Sequence, residues 1–478
     1  MRSGTIRPVL IGIALLCAAA CAINPVTGKR ELSLISEQQE VELGKQTDVE
    51  IGQDYGYYAD PNLTRYVAAV GTEMTPRTHR PKLDYHFAIL DTPVVNAFAA
   101  PGGYIYVTRG ILALMNSESE LATVLGHELG HVNARHSVRQ MSKMLVVQAG
   151  LALGSVLSDT FAKAAGLAGV GAQLLFLKFS RDDEREADAL GVAYSRAGGF
   201  NAVEMVHFFS SLERYGDLSG GQSVPGFLST HPLTSERIQN VKGLLGELDA
   251  SRPTNREAYL RGLDGLVYGD DPRQGYVEGA AFYHPEMRFA FSIPTGWKVQ
   301  NTPAQVTLAD EKGDAAIVLR AESSDDDLAA FARKKAGTIE GWTFVSERSS
   351  TVNGLASYQQ VCDIVRQDQD TLRGRMSFIR KGPQVFYFTA LSKAVDFNRF
   401  DPVFRQVVGS FGELRDPKYL DRRPRHIVLR TADGQRSFKE YLAQENIKAD
   451  GWPMMAIMNG MSGTDAVPER GRLVKVVR

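Results

Sequence analysis

The sequence predicts an α+β protein, in which a mainly helical first domain with a small sheet precedes a small α+β domain and a β-α-α-β C-terminal module. Capped helical segments dominate residues 36–248, where strand-like runs lie only between residues 83 and 108. From about residue 276, alternating strand-like runs are interleaved with helical segments. A chain of 478 residues is long enough for two or three domains, each with its own core.

The composition is that of an ordinary globular protein, with 44% hydrophobic residues, 23% charged residues and a formal net charge of −1. This balance provides no strongly basic field that would attract phosphates. We therefore expect no nucleic-acid partner.

The N-terminus has the pattern of a bacterial export signal. Arg2 and Arg7 precede a short apolar run and small residues, which predicts a signal peptide over residues 1–20. The run is too short for a conventional transmembrane helix. The sequence Ala-Ala-Ala-Cys ending at Cys21 resembles a lipobox, so we expect Cys21 to be lipidated and the protein to be anchored to the outer membrane, facing the periplasm. Simple secretion after cleavage at Ala20 is the alternative.

The segment from residue 144 to residue 177 is rich in alanine, glycine and leucine. Each apolar half is shorter than a membrane span requires. One interpretation is a buried helical hairpin over the active site, and the other is a mobile lid or a hairpin that dips into the membrane.

The stretch that carries the chemistry is His127-Glu128-Leu129-Gly130-His131, an H-E-x-x-H motif. On a helix, residues four apart lie on the same face, so both imidazoles can hold one zinc ion. Glu128 can then act as general base toward a water. Ser117 and Glu120 form a capping-box pair that predicts the start of this helix.

Two histidines leave a catalytic zinc site incomplete, because a third protein ligand is needed. The helical segment after Ser180 offers Glu184 as that ligand. Asp188 lies one turn further on the same face and can accept a hydrogen bond from a ligand histidine. Glu186 is off this face, and we interpret it as solvated.

Several ordered motifs within residues 24–248 resemble one known family. They are H-E-L-G-H-x-N-A-R-H at 127–136, S-R-x-x-E-x-E-A-D at 180–188, S-T-H-P-L-x-x-E-R-I at 229–238, N-P-V-T-G at 24–28 and N-A-F-A-A-P-G-G at 96–103. The chain looks like a member of the zinc peptidase family of the CAAX prenyl endopeptidases and HtpX-type proteases, in its exported bacterial branch. The resemblance implies a zincin-type peptidase domain over residues 21–250 and one zinc ion per chain.

The same resemblance assigns roles to individual residues. It implies that the zinc ligands are His127, His131 and Glu184, and that Glu128 is the base. His231 and Arg237 match an H-P-x-x-x-x-R pair that assists the oxyanion. His231 can instead be an inhibitory fourth zinc ligand, and Arg237 can equally be a structural ion-pair residue.

A strand-like run from residue 94 to residue 100 precedes the motif helix. We predict that it offers an edge, including Asn96, Ala97 and Phe98, on which a substrate strand pairs through its main chain. Such binding gives affinity with little sequence preference. The expected partners are protein or peptide substrates in the cell envelope.

The remainder of the chain shows no cluster of chemistry-bearing residues. We predict a linker over residues 251–275 and an α+β domain of unknown role over residues 276–415. Residues 420–478 resemble a degenerate LysM-type glycan-binding module. Its role is either peptidoglycan binding or packing alone.

We therefore predict an exported zinc-dependent metalloendopeptidase that hydrolyses peptide bonds in cell-envelope protein quality control. The family resemblance implies that misfolded or misassembled envelope proteins are the substrates. The alternative is a latched, non-proteolytic envelope factor that is chaperone-like or tethered to glycan.

Overall fold

The computed structural model describes residues 21–152, 178–219, 226–365 and 371–478. The predicted signal peptide lies outside these residues, as does most of the segment 144–177, and the side chain of Cys21 is not described. Within the described ranges, no helix is both long enough and apolar enough to cross a membrane.

The predicted α+β fold class is confirmed by the elements of the chain. The helices of the described residues are α1 Glu37–Tyr55, α2 Pro61–Met74, α3 Arg109–Leu114, α4 Glu118–Asn133, α5 His136–Ala152, α6 Arg181–Ala197, α7 Glu204–Leu218, α8 Phe227–Thr230, α9 Ser235–Leu244, α10 Glu247–Ala250, α11 Arg256–Gly262, α12 Leu328–Ala336, α13 Phe397–Ser410, α14 Pro417–Leu420, α15 Phe438–Gln444 and α16 Trp452–Met458.

The strands are β1 Cys21–Ile23, β2 Arg30–Leu32, β3 His86–Leu90, β4 Ala97–Ala100, β5 Tyr104–Thr108, β6 Val267–Tyr268, β7 Tyr276–Glu278, β8 Ala281–His284, β9 Phe289–Ser292, β10 Lys298–Asn301, β11 Val306–Ala309, β12 Ala315–Ser323, β13 Trp342–Val352, β14 Leu355–Ile364, β15 Leu372–Lys381, β16 Gln384–Lys393, β17 Gly412–Glu413, β18 Arg425–Thr431 and β19 Leu473–Val477.

Two compact units divide the described chain. The first comprises the residues up to 52, residues 56–269 and residues 425–478, and the second comprises residues 53–55 and 270–424. This differs from the predicted division, because most of the expected linker 251–275 belongs to the first unit. Tyr259 and Leu260 of α11 are fully buried there. The sequence analysis missed these two buried residues, because the surrounding stretch is polar and rich in glycine.

The C-terminal segment has the predicted β-α-α-β order, but it does not form a third unit. Phe438 and Leu442 of α15 are fully buried in the same hydrophobic core as Leu121 and Leu125 of α4. The sequence of residues 420–478 does not reveal which core receives the apolar faces of its helices. The segment is therefore part of the unit that holds the motif helix.

A buried lysine connects the last strand to the start of that helix. Lys475 of β19 is fully buried, and its Nζ donates hydrogen bonds to the carbonyl oxygens of Ala113, at 2.9 Å, and Met115. Burial lowers the pKa of Lys475 to about 7. Ala113 lies in the last turn of α3 and Met115 directly follows that helix, so Lys475 of β19 supplies donors to carbonyl oxygens at the end of α3.

The small predicted sheet of the first unit has the strand order β3-β5-β4. Strand β3 is parallel to β5, whereas β4 is antiparallel to β5 and lies at the edge of the sheet as described. The turn between β4 and β5 contains Gly102 and Gly103, which both have positive φ. At Gly103 a side chain would collide with the carbonyl oxygen of Asp84, so this tight turn requires glycine.

The second unit is built on a seven-stranded antiparallel sheet of order β10-β11-β12-β16-β15-β14-β13. Phe400 and Phe404 of α13 pack on one set of its side chains, which includes Phe386 and Phe388. Phe331 of α12 packs on another set, which includes Phe378 and Tyr387. The alternation of the two sets along β16 places them on opposite faces of the sheet.

The shared core yields a first prediction. We expect Leu442→Ala to destabilise the first unit by about 2–5 kcal/mol, because it leaves a cavity in the core that also buries α4. Hydrogen–deuterium exchange should then be faster in the amides of α4. Leu248→Ala is the matched control, since the Leu248 side chain is 81% exposed. Faster exchange only in residues 425–478 would contradict the common core.

Candidate metal centre

Helix α4 carries the H-E-x-x-H motif and is buried along its whole length. The Ser117 side chain accepts a hydrogen bond from the Glu120 backbone N–H at 3.0 Å, as the capping pattern predicts. The Glu120 carboxylate, however, accepts from the backbone N–H of Asn116 at 2.6 Å. The Glu120 half of the expected capping box is therefore displaced by one residue, from Ser117 to Asn116. The helix nevertheless starts where the sequence predicts.

Four side chains converge beside this helix. The donor atoms of His127, His131, Glu184 and His231 all lie within 4.8 Å of one another, and all four residues are buried. His127 Nε2 is 3.0 Å from His131 Nε2, and His231 Nδ1 is 3.3 Å from His127 Nε2 and 2.9 Å from Glu184 Oε1. Imidazole nitrogens with one carboxylate oxygen are a ligand set suited to zinc.

The approach of α6 to α4 brings Glu184 into this group. A side chain at Gly130 would lie 3.0 Å from the Ala187 Cα, and one at Gly191 would lie 3.0 Å from the His127 backbone nitrogen. The absence of a side chain at these two glycines therefore favours the close approach of the two backbones. The Ser180 side chain caps α6 by accepting from the Asp183 N–H, so Glu184 lies in the first turn, level with the motif histidines.

Asp188 and Arg237 form a charged layer behind these donors. Asp188 Oδ1 lies 3.0 Å from His127 Nδ1, and Arg237 donates two hydrogen bonds of 2.7 Å to the Asp188 carboxylate. Arg237 Nη1 is also 2.8 Å from Glu184 Oε2. Burial acts to raise the pKa of Asp188, but the Arg237 hydrogen bonds and the other nearby donors and charges outweigh it, so the pKa is lowered.

Glu128 has a different environment. Its side chain is fully buried, and neither carboxylate oxygen has a hydrogen-bond partner among the described residues. Its Oε1 is 3.7 Å from His231 Nε2. Burial raises the pKa of Glu128. Buried carboxylate oxygens without partners are costly, so their position beside the four donors is consistent with water and a metal ion as their missing partners.

Two neighbouring residues were not assigned to the site from the sequence. His136 Nδ1 is 2.8 Å from His131 Nδ1, and His136 Nε2 is 3.0 Å from Glu186 Oε2. Glu186 is thus in contact with a buried histidine, in contrast to the solvated role expected for it. The signal available in the sequence was His136 itself, which follows the motif at a short distance.

The predicted substrate edge is in contact with α4. Ala97 and Phe98 belong to β4 and are buried, while Asn96 directly precedes the strand. Asn96 accepts a hydrogen bond from the Thr108 N–H at 3.0 Å, and its own N–H donates to the Thr108 hydroxyl at 3.1 Å. The carbonyl oxygen of Val95 accepts a 2.8 Å hydrogen bond from the Phe227 N–H.

An H-E-x-x-H helix beside a buried group of three histidines and one glutamate defines the class of zinc metallopeptidases. Residues 61–245 match the profile of peptidase family M48. This confirms the predicted family resemblance, and zinc as the cofactor of the domain.

Curated relatives agree with the family profile. The "Beta-barrel assembly-enhancing protease" of Yersinia pestis is 30% identical over 211 residues, which cover 42% of this chain and 43% of that protein. The Escherichia coli K12 protein of the same name is 28% identical over 233 residues, 47% of each chain. The "Mitochondrial metalloendopeptidase OMA1" of Schizosaccharomyces pombe is 28% identical over 237 residues, 48% of this chain and 68% of that protein.

The matched region spans less than half the length of the two bacterial relatives. These comparisons give no support to the LysM-type resemblance of residues 420–478.

The charged layer yields a second prediction. Arg237→Ala should destabilise the first unit by about 3–5 kcal/mol, because it leaves the buried carboxylates of Asp188 and Glu184 without their guanidinium partner. Urea unfolding of the metal-free protein measures this loss. Arg185→Ala is the control, since Arg185 pairs with Asp182 and Glu236 at the surface and little change is expected. Equal stability of the two variants would contradict the assignment.

Proposed function

We propose that this chain is an exported zinc-dependent metalloendopeptidase. The observation that carries the proposal is the unpartnered, buried carboxylate of Glu128 beside the donor atoms of His127, His131, Glu184 and His231. In this proposal His127, His131 and Glu184 hold the zinc ion. When bound there, zinc supplies Lewis acidity and lowers the pKa of water.

Glu128 is the proton carrier of the proposed reaction. One of its carboxylate oxygens accepts the proton of the attacking water and later delivers it to the leaving amine nitrogen. The raised pKa of Glu128 suits this role, because a base with a pKa nearer neutrality also returns the proton readily. Its burial within α4 keeps the carboxylate fixed, so little reorganisation accompanies the transfer.

Arg237 acts as a structural ion-pair residue in this proposal. Its guanidinium is engaged by Asp188 and Glu184, and it also donates to the Pro232 carbonyl oxygen at 3.1 Å. These contacts support a role in orienting Asp188, which in turn faces His127 Nδ1. Among the described residues, no contact of Arg237 favours its alternative role, which is assistance to the oxyanion.

His231 acts as an inhibitory fourth ligand. Its Nδ1 lies among the other three donors, as close as 2.9 Å to Glu184 Oε1, and its side chain is buried. An imidazole at this position occupies the place that a water or a substrate carbonyl requires. The resting protein is therefore latched, and the enzyme is active once His231 leaves.

The proposed setting is the periplasmic side of the outer membrane, with a lipid anchor on Cys21. Support comes from the export-type N-terminal sequence and from the similarity to relatives named as proteases that enhance β-barrel assembly. Misfolded or misassembled envelope proteins are the proposed substrates. An extended segment of such a protein pairs with the β4 edge near Asn96, Ala97 and Phe98.

A third prediction concerns the base. Glu128→Gln should reduce peptide-bond hydrolysis by about 10²–10⁴-fold, because the amide cannot accept the proton. Zinc content, measured by elemental analysis, should remain close to that of the wild type, since Glu128 is not among the proposed ligands. Retained proteolysis in a variant that still contains zinc would exclude Glu128 as the base.

A fourth prediction concerns the latch. His231→Ala should raise the rate of peptide hydrolysis several-fold, because a larger fraction of the molecules is competent to react. His207→Ala is the control, since His207 is a histidine paired with Glu204 outside the metal centre. A loss of rate at unchanged zinc content would instead assign His231 to oxyanion stabilisation.

The latched position of His231 also favours a second candidate function. In that case the protein is a chaperone-like or glycan-tethered envelope factor, and the closed metal site serves only its stability. Complementation of a deletion strain separates the two functions. Full complementation by Glu128→Gln would favour the non-proteolytic factor, and failure by a stable Glu128→Gln protein would favour the peptidase.

A further inference from the structure

A series of three side chains in mutual contact leads away from the metal centre at His131. His131 Nδ1 faces His136 Nδ1 at 2.8 Å, and His136 Nε2 faces Glu186 Oε2 at 3.0 Å. The side chain of His136 is fully buried, and that of Glu186 is 23% exposed. None of the roles assigned above involves His136 or Glu186.

Zinc binding through His131 Nε2 requires that His131 carry its hydrogen on Nδ1, and His136 can accept that hydrogen when it is neutral. A carboxylate accepts hydrogen bonds and donates none, so His136 Nε2 must carry the hydrogen that faces Glu186. A neutral His136 then has an acceptor at Nδ1. The hydrogen between the two rings therefore belongs to His131 Nδ1, and the lone pair of His131 Nε2 is left facing the other metal-binding donors.

We propose that His136 and Glu186 are a positioning pair that fixes the tautomer and ring orientation of His131 for zinc binding. This inference rests on the proposed metal site. The other motif histidine, His127, faces a carboxylate directly, since Asp188 Oδ1 lies 3.0 Å from His127 Nδ1. Each motif histidine thus faces a carboxylate, one directly and the other through an imidazole.

The backbone explains why His136 reaches this position. Arg135 has a φ of 55° and separates the end of α4 from the start of α5, so His136 turns back beside the last turn of the motif helix. The Arg135 side chain is held by Glu40 at 2.8 Å and by the carbonyl oxygen of Ile35 at 2.9 Å. This left-handed residue is therefore anchored by its own side chain.

The nearby charges do not displace Glu186 as the partner of His136. Asp183 Oδ1 is 3.9 Å from His136 Nε2, beyond hydrogen-bonding distance, and its carboxylate is engaged by Arg139 and by the Ser180 N–H. Phe179 stacks on the His131 ring with centroids 4.2 Å apart and an interplanar angle of 27°, which restricts the orientation of that ring. The geometry hence favours one orientation of His131.

Two substitutions at the same position separate positioning from packing. His136→Phe keeps an aromatic ring beside Phe179 but removes the acceptor, whereas His136→Asn loses the ring but can present its amide oxygen where Nδ1 stood. Zinc dissociation constants are measured by competition with a chromogenic chelator. We expect His136→Phe to weaken zinc binding by about 10–100-fold, and His136→Asn to remain within a few-fold of the wild type.

Two further readouts accompany the affinities. The visible absorption bands of the Co²⁺-substituted protein should change in His136→Phe and be largely restored in His136→Asn, because they report the ligand geometry. The melting temperature of each metal-free protein measures any general loss of stability. His207→Phe is the matched control, since it removes a histidine paired with Glu204 at 2.8 Å outside the metal centre.

The outcomes are distinct. Zinc binding by His136→Phe equal to that of the wild type, or stronger than that of His136→Asn, would overturn the positioning role and favour packing alone. If the wild-type chain itself binds no zinc, the proposed metal site fails first. If the wild type binds zinc and the two variants follow the expected order, the positioning pair is supported independently of any peptidase assay.

Discussion

The close packing of α6 on α4 is the constraint on which the metal centre depends. At Gly130 and Gly191 the two helices approach so closely that an added Cβ would lie only 3.0 Å from a backbone atom of the other helix. This approach places Glu184 beside the motif histidines and Asp188 beside His127. A side chain at either glycine would require the helices to shift by a few tenths of an ångström and would move Glu184 relative to His127 and His131.

Electrostatics set the second constraint. Glu128, Glu184 and Asp188 are buried together, and Arg237 lies against two of these three carboxylates. With all three carboxylates ionised, the negative charge of this buried group would exceed the single guanidinium charge, which is unfavourable away from water. Part of the charge is offset within the protein, because burial raises the pKa of Glu128, and the charges of Glu184 and Glu128 outweigh the effect of burial and raise the pKa of His231. A divalent cation among the four donors would offset the remainder.

The sequence revealed the parts of the site that lie within helical periodicity. His127, His131, Glu184 and Asp188 are separated by one turn within their helices, so their common faces could be inferred. His136 and Glu186 lie in two different helices, and His136 is placed by the left-handed residue Arg135. No local sequence pattern predicts such a contact. The burial of residues 425–478 in the first unit likewise depends on which apolar faces meet, and composition alone does not determine that.

The segment that carries His231 also bears on access to the metal centre. The Phe227 N–H donates to the Val95 carbonyl oxygen at 2.8 Å, and the His231 N–H donates to the Phe227 carbonyl oxygen at 2.7 Å. One helical turn therefore contacts the chain just before β4 and also presents the fourth donor. A strand paired along β4, as proposed for the substrate, would extend toward this turn at Val95. In the proposed binding mode, substrate pairing along β4 and departure of His231 from the donors would therefore both involve this short helix.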